Sequence, residues 1–297
     1  MSTEPARPGA SAPPAVPAKS AWALPLRMAS ALLFVPLLML LVWRGGAAFL
    51  TFVAIQVVLG LLEFYGMMRN KGLEPRLWLG LLSGLGVQWI AYRPDAGQAD
   101  FLMTAAVLLA LALALRRPEG PRQVENLAVT AMGVLYVGWL SSHLVLLREL
   151  PWRVGVDYAM GSSFVFLAFF VTWSCDTGAY AVGRAWGRIR PWSTISPRKS
   201  LEGAAGGFVC AIGASHIARV WFAPYLSVVD AWVLGALVGV FAQVGDFVES
   251  LLKRDARHAD SSDLIPGHGG VLDRFDSLYF GAPIVFYYLK YVVFQVP

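Results

Sequence analysis

The chain has 297 residues, of which 57% are hydrophobic and 14% charged, with a mean hydropathy of +0.58. Soluble domains carry about 25% charged residues, so a water-soluble globular chain is excluded. The net charge of +5 does not point to nucleic acid, because the basic residues fall between apolar runs, and two Cys with four His make no zinc-type cluster at usable spacing.

Residues 1–20 are rich in Pro, Ala and Ser without hydrophobic period and read as a disordered tail. The first apolar run starts near Leu26 and lacks a small-residue cleavage site, so it reads as a retained anchor rather than a signal peptide. Nine spans follow, at approximately 26–43, 46–67, 77–92, 101–115, 126–147, 158–175, 202–221, 228–248 and 277–294. Each holds roughly the 20 apolar residues that a hydrocarbon core of about 30 Å demands, the fourth being short. Cys175 and Cys210 fall in or beside these runs and read as small hydrophobes. His143 and His216, inside spans, read as packing residues. Trp43, Trp78, Trp152 and Tyr291 sit at span ends, as interfacial aromatics do.

Orientation follows from the Lys and Arg in alternate connections. With the N-terminus inside, the inner set runs from Arg7 to Arg274 and holds 18 of the 24 basic residues. The outer set is Arg44, Arg93, Arg148, Arg153, Arg219 and Lys290. The expected fold is therefore all-α: a polytopic membrane protein of about nine helices with a cytoplasmic N-terminus. Its expected organisation is a tail (1–20), an N-terminal bundle of about five helices (21–157) and a C-terminal region (158–297). The two longest polar loops, 176–201 and 249–276, then share the cytoplasmic side, where nucleotides are found.

The second of these loops holds the densest chemistry. If the eighth span continues as a helix beyond the membrane, Asp246, Glu249 or Ser250, and Lys253 share one face. Pro266-Gly267 and Gly269-Gly270 break any helix and admit close backbone approach. Asp273 and Asp276 share a face at the start of the ninth span, where free N–H groups favour phosphate oxygens. Lys253, Arg254 and Arg274 lie among these acids. Oxygen ligands interleaved with cations at a membrane surface suit a metal–polyphosphate complex. Charge at a span edge is also costly to bury without such a use.

The string Ser250-x-x-Lys253-Arg254, Asp260, Pro266-Gly267-His268-Gly269-Gly270-x-x-Asp273-Arg274-x-Asp276-Ser277 resembles the signature of the phosphatidate cytidylyltransferases. A second stretch extends the resemblance: Asp176-Thr177-Gly178-Ala179-Tyr180-x-x-Gly183-Arg184, then Ser196-Pro197-Arg198-Lys199-Ser200-x-Glu202-Gly203. One departure is Ala259, where the family pattern has Lys before the Asp. A lost cation there is expected to weaken polyphosphate binding.

The resemblance implies transfer of cytidylyl from CTP to phosphatidate, giving CDP-diacylglycerol and pyrophosphate for phospholipid synthesis. It implies that Asp246, Asp273 and Asp276 hold Mg²⁺, while Lys199, Arg254 and Arg274 neutralise the transferring and leaving phosphates. Substrate contacts fall to Asp176, Tyr180, Ser196, Arg198, Ser200, Lys253 and His268, with the Gly269-Gly270 backbone as a cradle. The expected partners are CTP, phosphatidate and the bilayer, with no nucleic acid; a homodimer is left open. The expected location is the inner (plasma) membrane, with the active site facing the cytoplasm.

Two other functions fit parts of the sequence. One is a CTP-dependent kinase or cytidylyltransferase for another membrane lipid, a polyprenol or an ether lipid. The other is a transporter, but transporters place ionisable groups near the midplane between repeats, whereas here they gather at one face. Glu63, inside the second span, needs either a basic partner or a structural hydrogen bond.

Overall fold

The computed structural model describes residues 23–93, 99–115, 122–258 and 270–296. Each of the nine apolar runs falls on a helix. In chain order these are α1 (Ala23–Arg44), α2 (Gly46–Asn70), α3 (Leu77–Tyr92) and α4 (Ala99–Ala114). Then come α5 (Gln123–Gly133) and α6 (Leu140–Val154), joined without a break by a π-helical turn, Val134–Trp139. The C-terminal group is α7 (Met160–Trp186), α8 (Leu201–Trp221), α9 (Val228–Asp255) and α10 (Leu272–Tyr288), the last extended by a π turn, Leu289–Val293. Among the described residues, five helical rods are long and apolar enough to cross a membrane: α2, the α5–α6 rod, α7, α8 and α9. The Phe34–Arg44 part of α1, Leu77–Tyr92 and Asp100–Leu113 are further apolar helical stretches. The chain is an all-helical membrane protein.

Local signals explain the helix starts. Ser227 begins α9 with a capping box: its Oγ accepts the Asp230 N–H at 3.0 Å, and Asp230 Oδ2 accepts the Ser227 N–H at 2.8 Å. Ser200 begins α8 by accepting the Gly203 N–H at 3.1 Å. Two helices outrun their expected spans. The 28 residues of α9 reach about 42 Å at ~1.5 Å per residue, so its last turns extend past a hydrocarbon core of about 30 Å. Likewise α7 runs on to Trp186, so residues 176–186, expected as loop, are helical. Packing accounts for this despite the low helix propensity of Gly178 and Gly183. A Cβ at Gly178 would lie 2.4 Å from Cys210 Sγ, and one at Gly207 2.8 Å from the Cys175 carbonyl. Small residues thus bring α7 and α8 into backbone contact, the usual means of helix association in a membrane.

The helices α7 to α10 pack on one another, and α10 also meets α6 and α2. At one end of the bundle the α1–α2 turn, the α6–α7 connection and the α8–α9 connection come close. Tyr158 OH accepts the Gly46 N–H at 2.9 Å, and Ser163 Oγ donates to the Phe222 carbonyl at 2.8 Å. At the other end Lys71 pairs with Asp255, and Asn70 Nδ2 lies 2.8 Å from His258 Nε2. Sequence segments assigned to the same side therefore meet in space. Trp43, Trp78, Trp152 and Tyr291 are exposed, as interfacial aromatics must be. His143 is buried, with Nδ1 3.0 Å from the Trp139 carbonyl.

Candidate active site

Four segments converge at the end of the bundle that holds Asn70 and His258: the end of α7, the 187–200 loop, the last turns of α9 and the first turns of α10. On α9 the spacing Asp246, Glu249, Ser250, Lys253 gives one polar face directed at the neighbouring elements. Lys199 reaches it from the loop. Its Nζ pairs with Asp246 Oδ1 at 2.8 Å, donates to Ser250 Oγ at 3.3 Å and lies 4.1 Å from the Phe247 ring centroid. Lys253 bridges two helices, with Nζ 2.6 Å from both Glu249 Oε2 and Asp273 Oδ1. Asp276 faces α9 where Gly245 leaves room; a Cβ there would sit 2.6 Å from the Asp276 carbonyl. Asp176 joins from α7, accepting the Ser277 hydroxyl at 3.1 Å.

The start of α10 is held from a distance. Glu63 on α2 is buried, and its two carboxylate oxygens accept the N–H groups of Val271 and Leu272, each at 2.9 Å. Asp273 Oδ2 accepts the Gly270 N–H at 2.8 Å. Protein carboxylates therefore occupy N–H groups that the sequence reading left for phosphate. A carboxylate at a helix N-terminus also complements the helix dipole. Glu63 thus takes a structural hydrogen-bonding role at the start of α10. Its separation of 208 residues from Val271 left no sequence signal beyond the cost of a carboxylate within a span.

The structure brings Asp176, Lys199, Asp246, Lys253, Asp273 and Asp276 together and adds Glu249, which sequence placed on the same face without a ligand role. Arg254 braces the site, its Nε donating to the Ile195 carbonyl at 3.3 Å and one terminal nitrogen to the His258 carbonyl at 3.0 Å. The Ser200 hydroxyl is used as the α8 cap, while Ser196 is half-buried within the loop. Tyr180 is exposed, accepting from Arg184 at 2.8 Å; Arg198 and Arg274 are exposed too. Gly270 donates to Asp273, whereas His268, Gly269 and Ala259 lie outside the described residues.

The donor set fits a hard divalent cation. Asp246, Glu249 and Asp276 each offer an oxygen, and these oxygens lie within 4.8 Å of one another. Glu249 Oε1 is buried without a hydrogen-bond partner among the described residues, a costly state for a carboxylate oxygen. Oxygen-only ligation with room for water and phosphate is the preference of Mg²⁺. Carboxylates outnumber the lysines in contact with them, so an added cation relieves repulsion here.

The fold is thus an all-helical membrane protein whose clustered acids and lysines at one end have the chemistry to meet a cation and phosphate groups. Residues 25–292 match the model of the cytidylyltransferase family. A phosphatidate cytidylyltransferase of Synechocystis is 33% identical over 288 residues, covering 89% of this chain and 95% of its own length. Those of Bacillus subtilis and Staphylococcus epidermidis are each 30% identical, covering 81% and 86% of this chain and 89% and 93% of their own lengths. The chain belongs to the cytidylyltransferase family.

Proposed function

We propose that this protein transfers cytidylyl from CTP to phosphatidate, releasing pyrophosphate and leaving CDP-diacylglycerol in the membrane. The observation that carries this reading is the cluster of Asp246, Glu249 and Asp276 beside Lys199 and Lys253, in a chain of this family. A phosphate monoester has its second pKa near ~6, so the phosphatidate oxygen is largely dianionic at neutral pH. Attack on the α-phosphorus of CTP then needs no strong general base. A new P–O bond forms to that phosphorus as the bond to the β-phosphate oxygen breaks, and the electron pair leaves with pyrophosphate.

What the protein must supply is alignment of two anions and neutralisation of their charge. Lys199 is the shared cation of the site: its Nζ contacts Asp246, Ser250 and the Phe247 ring, and phosphate oxygens compete for it. Lys253, fixed between Glu249 and Asp273, holds the two helices at the separation that leaves the acids facing one another. Asp246, Glu249 and Asp276 would hold Mg²⁺, and a cation there would supply neutralisation of phosphate charge. Arg254 keeps the 187–200 loop over the site, while Arg274 and Arg198, exposed at its rim, meet the incoming nucleotide.

The excess of Lys and Arg on this side favours a cytoplasmic active site, in the inner (plasma) membrane, where CTP is present. Purified protein in mixed micelles with CTP and phosphatidate tests the reading. The expected products are pyrophosphate and a cytidylylated lipid, both abolished by removal of divalent cation. Release of CDP with a phosphorylated lipid would instead identify a CTP-dependent kinase and overturn it.

A further inference from the structure

Beside the carboxylate–lysine cluster runs a groove of about 540 Å³ between α8, α9 and the 187–200 loop, lined by residues that include Trp192, Ile195, Phe208, Val240, Phe247 and Leu251. Its size falls in the range of ligand pockets, roughly 300–1,000 Å³. The one polar side chain in its wall, Gln243, is turned to the protein: its Nε2 donates to the carbonyls of Ala204 and Gly239, at 3.1 and 2.6 Å. The wall thus discriminates for hydrocarbon. Val240 and Leu251 are exposed on α9, a membrane-crossing rod, so the groove opens sideways as well as toward the site.

Cations mark the end nearest the site. Lys199 Nζ lies 4.1 Å from the centroid of the Phe247 ring, which forms part of the wall. Arg254 holds the carbonyl of Ile195, a second wall residue, and also sits within the site. An occupant with an apolar tail in the groove therefore brings its polar end to a lysine and an arginine. That complementarity describes an anionic lipid and not a neutral or zwitterionic one.

We propose that this groove holds one acyl chain of the phosphatidate substrate, aligning its phosphate with Lys199. The inference rests on the function proposed above and deepens it. The groove acts on binding of the lipid, because its wall contributes no group to the carboxylate cluster and meets the site through the Lys199–Phe247 and Arg254–Ile195 contacts.

Two measurements test it. The first is photolabelling of the full-length protein in vesicles with phosphatidate carrying a diazirine midway along one chain, compared with phosphatidylcholine of the same chains. The expected result is labelling of groove residues by the phosphatidate probe, competed by unlabelled phosphatidate, with several-fold weaker labelling by the phosphatidylcholine probe. Equal labelling by both probes means that bulk bilayer lipid fills the groove, and overturns the proposal. The second is Val240→Trp, which narrows the groove. It should raise KM for long-chain phosphatidate by about tenfold, the loss of contact with roughly two methylenes. KM for CTP and for dihexanoyl phosphatidate should stay unchanged. A shift common to both lipids, or no shift, overturns it; if the variant does not fold, the photolabelling of the unmodified protein decides. A wild-type protein that makes no cytidylylated lipid yet labels selectively refutes the proposed reaction and not the groove.

Discussion

Both ends of this bundle bury charge, and they do so in opposite ways. At the end holding the α1–α2 turn, Arg148 is 1% exposed and bonded through all three of its guanidinium nitrogens. Its guanidinium donates to the carbonyls of Val42, Tyr158 and Trp43 at 2.8, 3.1 and 3.2 Å and lies 4.1 Å from the Tyr158 ring centroid. Tyr158 in turn donates to Glu149 Oε1 at 2.8 Å. Each of the three guanidinium nitrogens donates to a backbone carbonyl, and the network is built from protein groups. At the other end acids crowd acids, Lys199 divides itself among several partners, and Glu249 Oε1 has none among the described residues. A closed network holds helices in place. An open one, stable only because the surrounding bundle holds it, is completed by what binds there.

That contrast can be broken most sharply at the open end. Asp276→Asn or Asp246→Asn should lower turnover by about 10³-fold or more, the scale of losing a group that organises charge at a reacting centre. Thermal stability in detergent should hold or rise, because one of several mutually repelling charges is gone. Retained activity with an undamaged Mg²⁺ dependence would remove that residue from the cation site. The closed end should behave in reverse. Arg148→Met strands the carbonyls of Val42, Trp43 and Tyr158 and removes a positive charge beside Glu149, and is expected to cost about 3 kcal/mol of stability. Any folded fraction should keep the wild-type KM for CTP. A stable but inactive Arg148→Met protein would show that the two ends are coupled in chemistry and not merely by the bundle.

Between these extremes stands Glu63, a closed contact that serves the open end. Glu63→Gln keeps one acceptor but sets an NH₂ group against a backbone N–H at the start of α10. Losing one charge-assisted hydrogen bond, roughly 1.5 kcal/mol or more, should lower kcat about tenfold and raise the Mg²⁺ concentration needed for half-maximal rate. KM for phosphatidate should not move. An unchanged Mg²⁺ requirement would reduce Glu63 to a purely structural contact.

How much of this was legible in the sequence follows from the range of the contacts. The nine apolar runs and the shared face of Asp246, Glu249, Ser250 and Lys253 are set by period and spacing along one helix, and sequence carries both. The division of labour within the acid cluster is not local. Whether Asp273 faces Lys253, as it does at 2.6 Å, or a cation depends on how α9 lies against α10, which no spacing encodes. Arg148 was counted among the residues that set topology, since counting treats every Lys and Arg as solvated. Its burial depends on the turn at Gly45, where φ is +62° and a Cβ would sit 2.4 Å from the guanidinium. The loop 176–201 was overdrawn because polar residues on a helix facing other helices look, in sequence, like residues facing water.

The finest test of the closed network is Tyr158→Phe. Tyr158 lies between α6 and α7, and burial, with its hydrogen bond to Glu149, holds the phenol above its ordinary pKa. It therefore remains a proton donor to Glu149 while its oxygen accepts the Gly46 N–H at 2.9 Å. Removing the hydroxyl leaves the ring stacked on Arg148 but strands one donor and one carboxylate oxygen. The expected cost is about 1–2 kcal/mol, smaller than that of Arg148→Met because the guanidinium keeps its three carbonyls. Thermal unfolding of the two single variants and the double variant separates the contributions. Coupling between them is expected, since both residues hold the same α1–α2 turn. Strict additivity would mean that Tyr158 and Arg148 secure that turn independently, and that the closed network is two latches rather than one.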